Sequence, residues 1–133
     1  MFNLDDRLAA DTVLITDFDL CQVRLMKDAH YPWLILVPKR ADIREIHQLE
    51  PQDQQCLMQE ITHVSRVLET AFKPDKINVA ALGNMVPQLH VHIIARFSAD
   101  PAWPGPVWGA VPPAAYKDGD LDVWVEGLKQ ILG

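Results

Sequence analysis

Two histidines, His90 and His92, stand one residue apart in the apolar run "PQLHVHIIAR" of residues 87–96, and Gln88 precedes them at the same spacing. In a β-strand successive side chains alternate faces, so Gln88, His90 and His92 would project from one face and Leu89, Val91 and Ile93 from the other. The apolar set faces a core. The polar set must meet water, a partner or a ligand, since a buried polar group without a hydrogen bond costs about 1–3 kcal/mol. In the blandest reading the rings are satisfied by backbone and neighbouring side chains. A second is a shared metal ion, which two histidines at this spacing could hold. It needs a third ligand, yet no acidic residue follows until Asp100 and no CxxC pair is present to complete a zinc site. The third is nucleophilic attack on phosphorus: a neutral imidazole keeps a lone pair at physiological pH, provided its other nitrogen is held by an acceptor that fixes the tautomer.

The rest of the chain must hold such a face in place. At 133 residues, 49% hydrophobic and 23% charged, it suits a single domain with one packed core. A net charge of −6 with scattered basic residues argues against a nucleic-acid polymer or an anionic membrane as partner. No segment reaches the roughly 18 apolar residues of a membrane span, and "MFNLDDRLAADT" does not read as a secretory signal, so a cytoplasmic location is expected. Cys21 and Cys56 lack metal or redox spacing and read as structural thiols.

The period-2 alternation of "LCQVRLM" (20–26) predicts a half-buried strand, and the unbroken apolar "WLILV" (33–37) a central strand covered on both sides. Leu57, Ile61, Val64, Leu68 and Phe72 form one stripe of a helix that starts near Pro51 and stops at Lys73-Pro74. A second hairpin follows, with strands over 76–82 and 88–97 around a loop at 83–87. Residues 121–132 again show helical spacing. Between them, 100–119 is too rich in Pro and Gly for a helix or central strand. Its Trp103 and Trp108 either seal the core or an interface, or form a lid over a site. The order of elements predicts an α+β fold with an antiparallel sheet.

The motif "QLHVHII" resembles the His-x-His-x-His-apolar-apolar signature of the histidine triad (HIT) nucleotide hydrolases and transferases, with Gln88 at the first histidine position. The resemblance extends to "LMKDAHYPWLILVPKR" (25–40) and "NVAALGNMVPQ" (78–88), and covers about residues 20–97 of what would be a single 1–133 domain. It implies a HIT-like α+β domain, an antiparallel sheet of about five strands with two helices, and a homodimer whose sheets join. It also implies a small nucleotide substrate and no metal or other cofactor. His90 would be the nucleophile, His92 a hydrogen-bond donor to the phosphoryl group and Asp28 the ribose anchor, with Asn78, Asn84 and Gln88 as further substrate-binding residues. Glutamine offers a donor and an acceptor but carries no proton at neutral pH. If the first position only orients, activity survives. If it exchanges a proton with the leaving group, the rate falls by about 10²–10⁴-fold. His30, His47 and His63 have no place in this motif, and His63 is expected to form a solvated helical pair with Glu60.

Overall fold

In the computed structural model, which describes residues 1–133, five antiparallel strands form one open sheet in the order β1-β2-β3-β5-β4. The elements are α1 (Asp6–Asp11), β1 (Thr12–Asp17), β2 (Cys21–Met26), β3 (Trp33–Pro38), a short 3-10 turn (Ile46–Gln48), α2 (Pro51–Phe72), β4 (Lys76–Ala80), β5 (Val91–Arg96) and α3 (Asp120–Leu132). β3 is buried along its whole length, as its unbroken apolar run requires. It lies between β2 and β5, with Ile35 opposite His92 and Trp33 opposite Ile94.

The helices α2 and α3 cover one face of the sheet. Leu57, Ile61, Val64 and Leu68 of α2 and Leu128 and Leu132 of α3 join Val23, Leu25, Leu34, Leu36, Val91 and Ile93 in the main core. Pro51 opens α2, where its missing N–H is no loss, and Lys73, in the left-handed conformation at φ 50°, closes it ahead of Pro74. The opposite face carries a smaller apolar layer of Trp33, Ile35, Val37 and Ile94 from the sheet, under Leu8, Tyr31 and Val107. Residues of the N-terminal segment and of the Pro/Trp loop therefore roof the side on which the histidines lie.

Three expectations change. A third helix, α1, joins the two expected, and it precedes β1, the edge strand that completes the expected five and lies outside the four legible from periodicity. The strand expected over 88–97 begins at Val91, so Gln88 and His90 sit in the approach to it. His63 does not pair with Glu60. The Glu60 carboxylate turns inward and accepts from the backbone N–H groups of Leu20 and Cys21 at 2.9 Å each, while His63 Nε2 lies 2.8 Å from the Leu132 carbonyl.

Candidate active site

His90 and His92 lie side by side, their ring centroids 4.9 Å apart at an interplanar angle of 68°. The alternation therefore holds across the start of β5: Leu89, Val91 and Ile93 point to the helices, and the two imidazoles to the other face. That face is not bathed in solvent. His90 is 7% and His92 4% exposed beneath the second layer.

Each ring has one nitrogen fixed by a neighbour. His90 Nδ1 is 2.7 Å from the Gln88 carbonyl, which can only accept, so Nδ1 carries the proton and Nε2 keeps its lone pair. His92 Nδ1 is 3.0 Å from the indole Nε1 of Trp33, which can only donate, so this ring has the opposite tautomer with the proton on Nε2. Burial, reinforced by the neighbouring His90, pushes the His92 pKa down to about 3. The ring is therefore neutral at physiological pH. The pair presents one unbonded ring nitrogen with a lone pair and one neutral N–H donor, the two functions that attack on a phosphoryl group and stabilisation of its oxygens require.

The β2–β3 turn brings Asp28 to this side, 5% exposed. Its Oδ1 accepts from the backbone N–H groups of His30 at 3.0 Å and Ala114 at 3.2 Å, and pairs with His30 Nδ1 at 2.9 Å. All these bonds converge on one oxygen, which leaves Oδ2 without a partner in the chain. Asp28 also lines a cavity of about 500 Å³ with Met26, Trp33, Val107, Trp108 and Val111. A carboxylate at the rim of an aromatic and aliphatic pocket suits a ligand with an apolar planar part and adjacent hydroxyls.

The other sequence candidates divide. Both ends of the Gln88 amide are engaged by the N-terminal segment: Oε1 accepts from Asp5 N at 2.8 Å and Nε2 donates to the Asn3 carbonyl at 2.8 Å. Asn78 stands on the histidine side of β4, next to Ala80, which pairs with His92. Its Oδ1 accepts from Arg96 Nη1 at 2.8 Å, leaving its amide N–H groups free of protein acceptors. Asn84 lies exposed in the β4–β5 loop with no side-chain hydrogen bond to the other candidates.

Three contributors, Trp33, His30 and Arg96, gave no signal in the sequence, and Trp108 was expected only as a seal or a lid. Trp33 and Trp108 flank His92, with Trp108 edge-on at 4.9 Å and 5.8 Å from Trp33. Trp108 thus acts as a wall of the site, while Trp103, 37% exposed, lies over Arg96. His30 braces Asp28, and Arg96 ties the Pro/Trp loop to β5. Trp103 and Trp108 were visible in the loop, but Trp33, the partner of Trp108, is remote in the chain and carries no motif of its own. No group of three or more His, Cys, Asp or Glu side chains converges to form a ligand cluster.

Comparison with known proteins agrees with this architecture. The HIT domain family model matches residues 7–99. The chain is similar to a histidine triad protein from Bradyrhizobium japonicum, at 48% identity over 99% of this chain and 98% of that one, with a TM-score of 0.96. A histidine triad protein from Marinobacter aquaeolei is 50% identical over 99% and 96% of the two chains, with a TM-score of 0.94. One from Sinorhizobium meliloti is 46% identical over 97% and 96%, with a TM-score of 0.93. These likenesses run through the C-terminal loop and helix, beyond the family model's last matched residue. No curated protein matches the chain at a significant level.

Proposed function

The chain belongs to the histidine triad (HIT) family, and from that premise we propose that it hydrolyses or transfers the nucleotidyl group of a small nucleoside phosphoramidate or polyphosphate. The observation that carries the reading is the opposed pair of tautomers: a free Nε2 lone pair on His90 beside an Nε2–H on His92. His90 Nε2 attacks the phosphorus, a P–N or P–O bond to the leaving group breaks, and the leaving group departs with the electron pair and takes up a proton from solvent water. His92 donates to a phosphoryl oxygen as charge builds there. Water then attacks the nucleotidyl-imidazole, the N–P bond breaks, and a nucleoside monophosphate is released. In this reading Asp28 Oδ2 accepts from ribose hydroxyls and the Trp108 cavity takes the base. The Asn78 amide faces the phosphate, while exposed Asn84 reaches it only as the substrate closes the β4–β5 loop.

The reading extends to a homodimer and a cytoplasmic site of action. β4 is a free edge strand, and Val79, Leu82 and Met85 on and after it are exposed, a surface suited to a second sheet. Cys21 and Cys56 are free thiols, as a reducing compartment favours. No helix is long and apolar enough to cross a membrane.

The test is direct. Protein is mixed with labelled adenosine phosphoramidate and denatured at alkaline pH, where a nucleotidyl-imidazole survives. Label is expected on His90, and His90→Asn is expected to lower turnover by about 10³-fold or more. Turnover unaffected by that substitution would remove the mechanism. The deep burial of both rings favours one rival, a binding module with little turnover. Calorimetric binding of a nucleoside monophosphate without turnover of any phosphoramidate or dinucleoside polyphosphate would support it.

A further inference from the structure

We propose that Trp33 is a positioning residue for the reaction: its indole N–H holds Nδ1 of His92 as an acceptor and so keeps Nε2–H as a fixed donor beside the nucleophilic nitrogen of His90. The inference rests on the nucleotidyl-transfer reading and adds a residue to it.

The 3.0 Å bond between Trp33 Nε1 and His92 Nδ1 has only one possible polarity. An indole nitrogen has a proton and no available lone pair, so the imidazole nitrogen facing it must be bare. A neutral imidazole has a single N–H, which must then be at Nε2. Putting a proton on Nδ1 would set two donors against each other, and little water is at hand to relieve them, because Trp108 packs edge-on against His92 and Ile35 is its cross-strand neighbour. Both ends of the bond are anchored in paired central strands, Trp33 opposite Ile94 on β3 and His92 opposite Ile35 on the same ladder. Tyr31 and Trp108 meet the Trp33 indole edge-on at 6.1 and 5.8 Å and restrict its rotation.

The two histidines need opposite proton placements for their two tasks, and nothing intrinsic to imidazole supplies the difference. For His90 it comes from a backbone carbonyl two residues back. For His92 it comes from a side chain 59 positions away. A phenylalanine at position 33 would fill most of the same space without fixing the proton, so packing and positioning can be separated.

The experiment uses the whole protein with 15N-labelled histidine, in wild-type and Trp33→Phe forms. In the wild type the His92 ring is expected to show a bare Nδ1 and a protonated Nε2 from pH 5 to 8. In Trp33→Phe the Nδ1–H form is expected to appear and kcat on adenosine phosphoramidate to fall about tenfold or more, with KM raised as well because Trp33 also lines the cavity beside Trp108. A wild-type ring protonated at Nδ1 overturns the proposal. So does a variant in which either the tautomer or kcat changes without the other, since Trp33 would then only pack. If the variant does not fold, the wild-type spectrum still decides. Absence of turnover in the wild-type protein, with the tautomer change seen, would sink the catalytic reading alone and leave the hold of Trp33 on His92 standing.

Discussion

Gln88 shows how one side chain at a motif position takes on another task. Its amide has one acceptor and two donors, and the bonds to Asp5 N and the Asn3 carbonyl engage both polar ends. Its backbone carbonyl, meanwhile, fixes the tautomer of His90. The residue therefore acts on the nucleophile through its main chain, and its side chain holds residues 3–5 down. Gln88→Ala should preserve the carbonyl and release the segment. Stability is expected to drop by about 1 kcal/mol and amide exchange at Asp5 to quicken about tenfold, with His90-dependent labelling retained. A large loss of kcat with unchanged exchange at Asp5 would instead mean that the amide touches substrate. The shared face of His90 and His92 was legible from the two-residue repeat alone. What the amide at 88 binds was not, because its partners are more than eighty positions away and are backbone groups, which leave no trace in side-chain type.

The elements carry the site through one buried knot. Arg96, at the end of β5, donates from Nε and Nη2 to the two oxygens of Asp100 at 2.8 and 3.0 Å, from Nη1 to Asn78, and from Nη2 to the Gly105 carbonyl at 2.8 Å. Asp100 also accepts from the backbone N–H groups of Phe97, Ala102 and Trp103. Burial alone would raise its pKa, but those bonds outweigh it and hold the carboxyl down at about 2. This knot is what lets a Pro-rich loop lie against the sheet and bring Trp108 to His92. Arg96→Met would strand a buried carboxylate, so a loss of about 3–5 kcal/mol is expected in urea unfolding. Tryptophan emission should shift to the red as the loop leaves the surface. A loss below 1 kcal/mol with unshifted emission would show that the loop is held by its apolar contacts instead. The helices α2 and α3 were legible because each buries one regular stripe. β1 was not, since its register with β2 slips between Leu14 and Thr16, and Leu14 is 40% exposed, which breaks the two-residue rhythm of an edge strand. The Pro/Trp loop was legible as a loop, but its docking depends on an ion pair that composition does not reveal.

For the molecule as a whole, placing two imidazoles between a sheet and an apolar roof ties catalysis to stability. His92 titrates near 6.5 when the chain is unfolded and at about 3 when folded. Between those values the unfolded chain binds the extra proton, so stability rises with pH across this window and falls as the solution is acidified. The loss from this one ring should be roughly 1 kcal/mol at pH 5.5 and about 2–3 kcal/mol at pH 4.5. Asp100 acts in the same direction but lower down: its depressed folded pKa gives stability that is complete above the unfolded carboxylate value near 3.8 and lost as pH falls toward 2. Urea midpoints measured from pH 7.5 to 4.5 therefore report mainly on the histidine. His92→Phe, which keeps a ring in the same space against Trp33 and Trp108, should flatten the profile across that range while abolishing the donor to the phosphoryl group. If wild type and His92→Phe lose stability in parallel as the pH drops, His92 is hydrated or charged in the folded protein, and the neutral donor assigned to it does not exist.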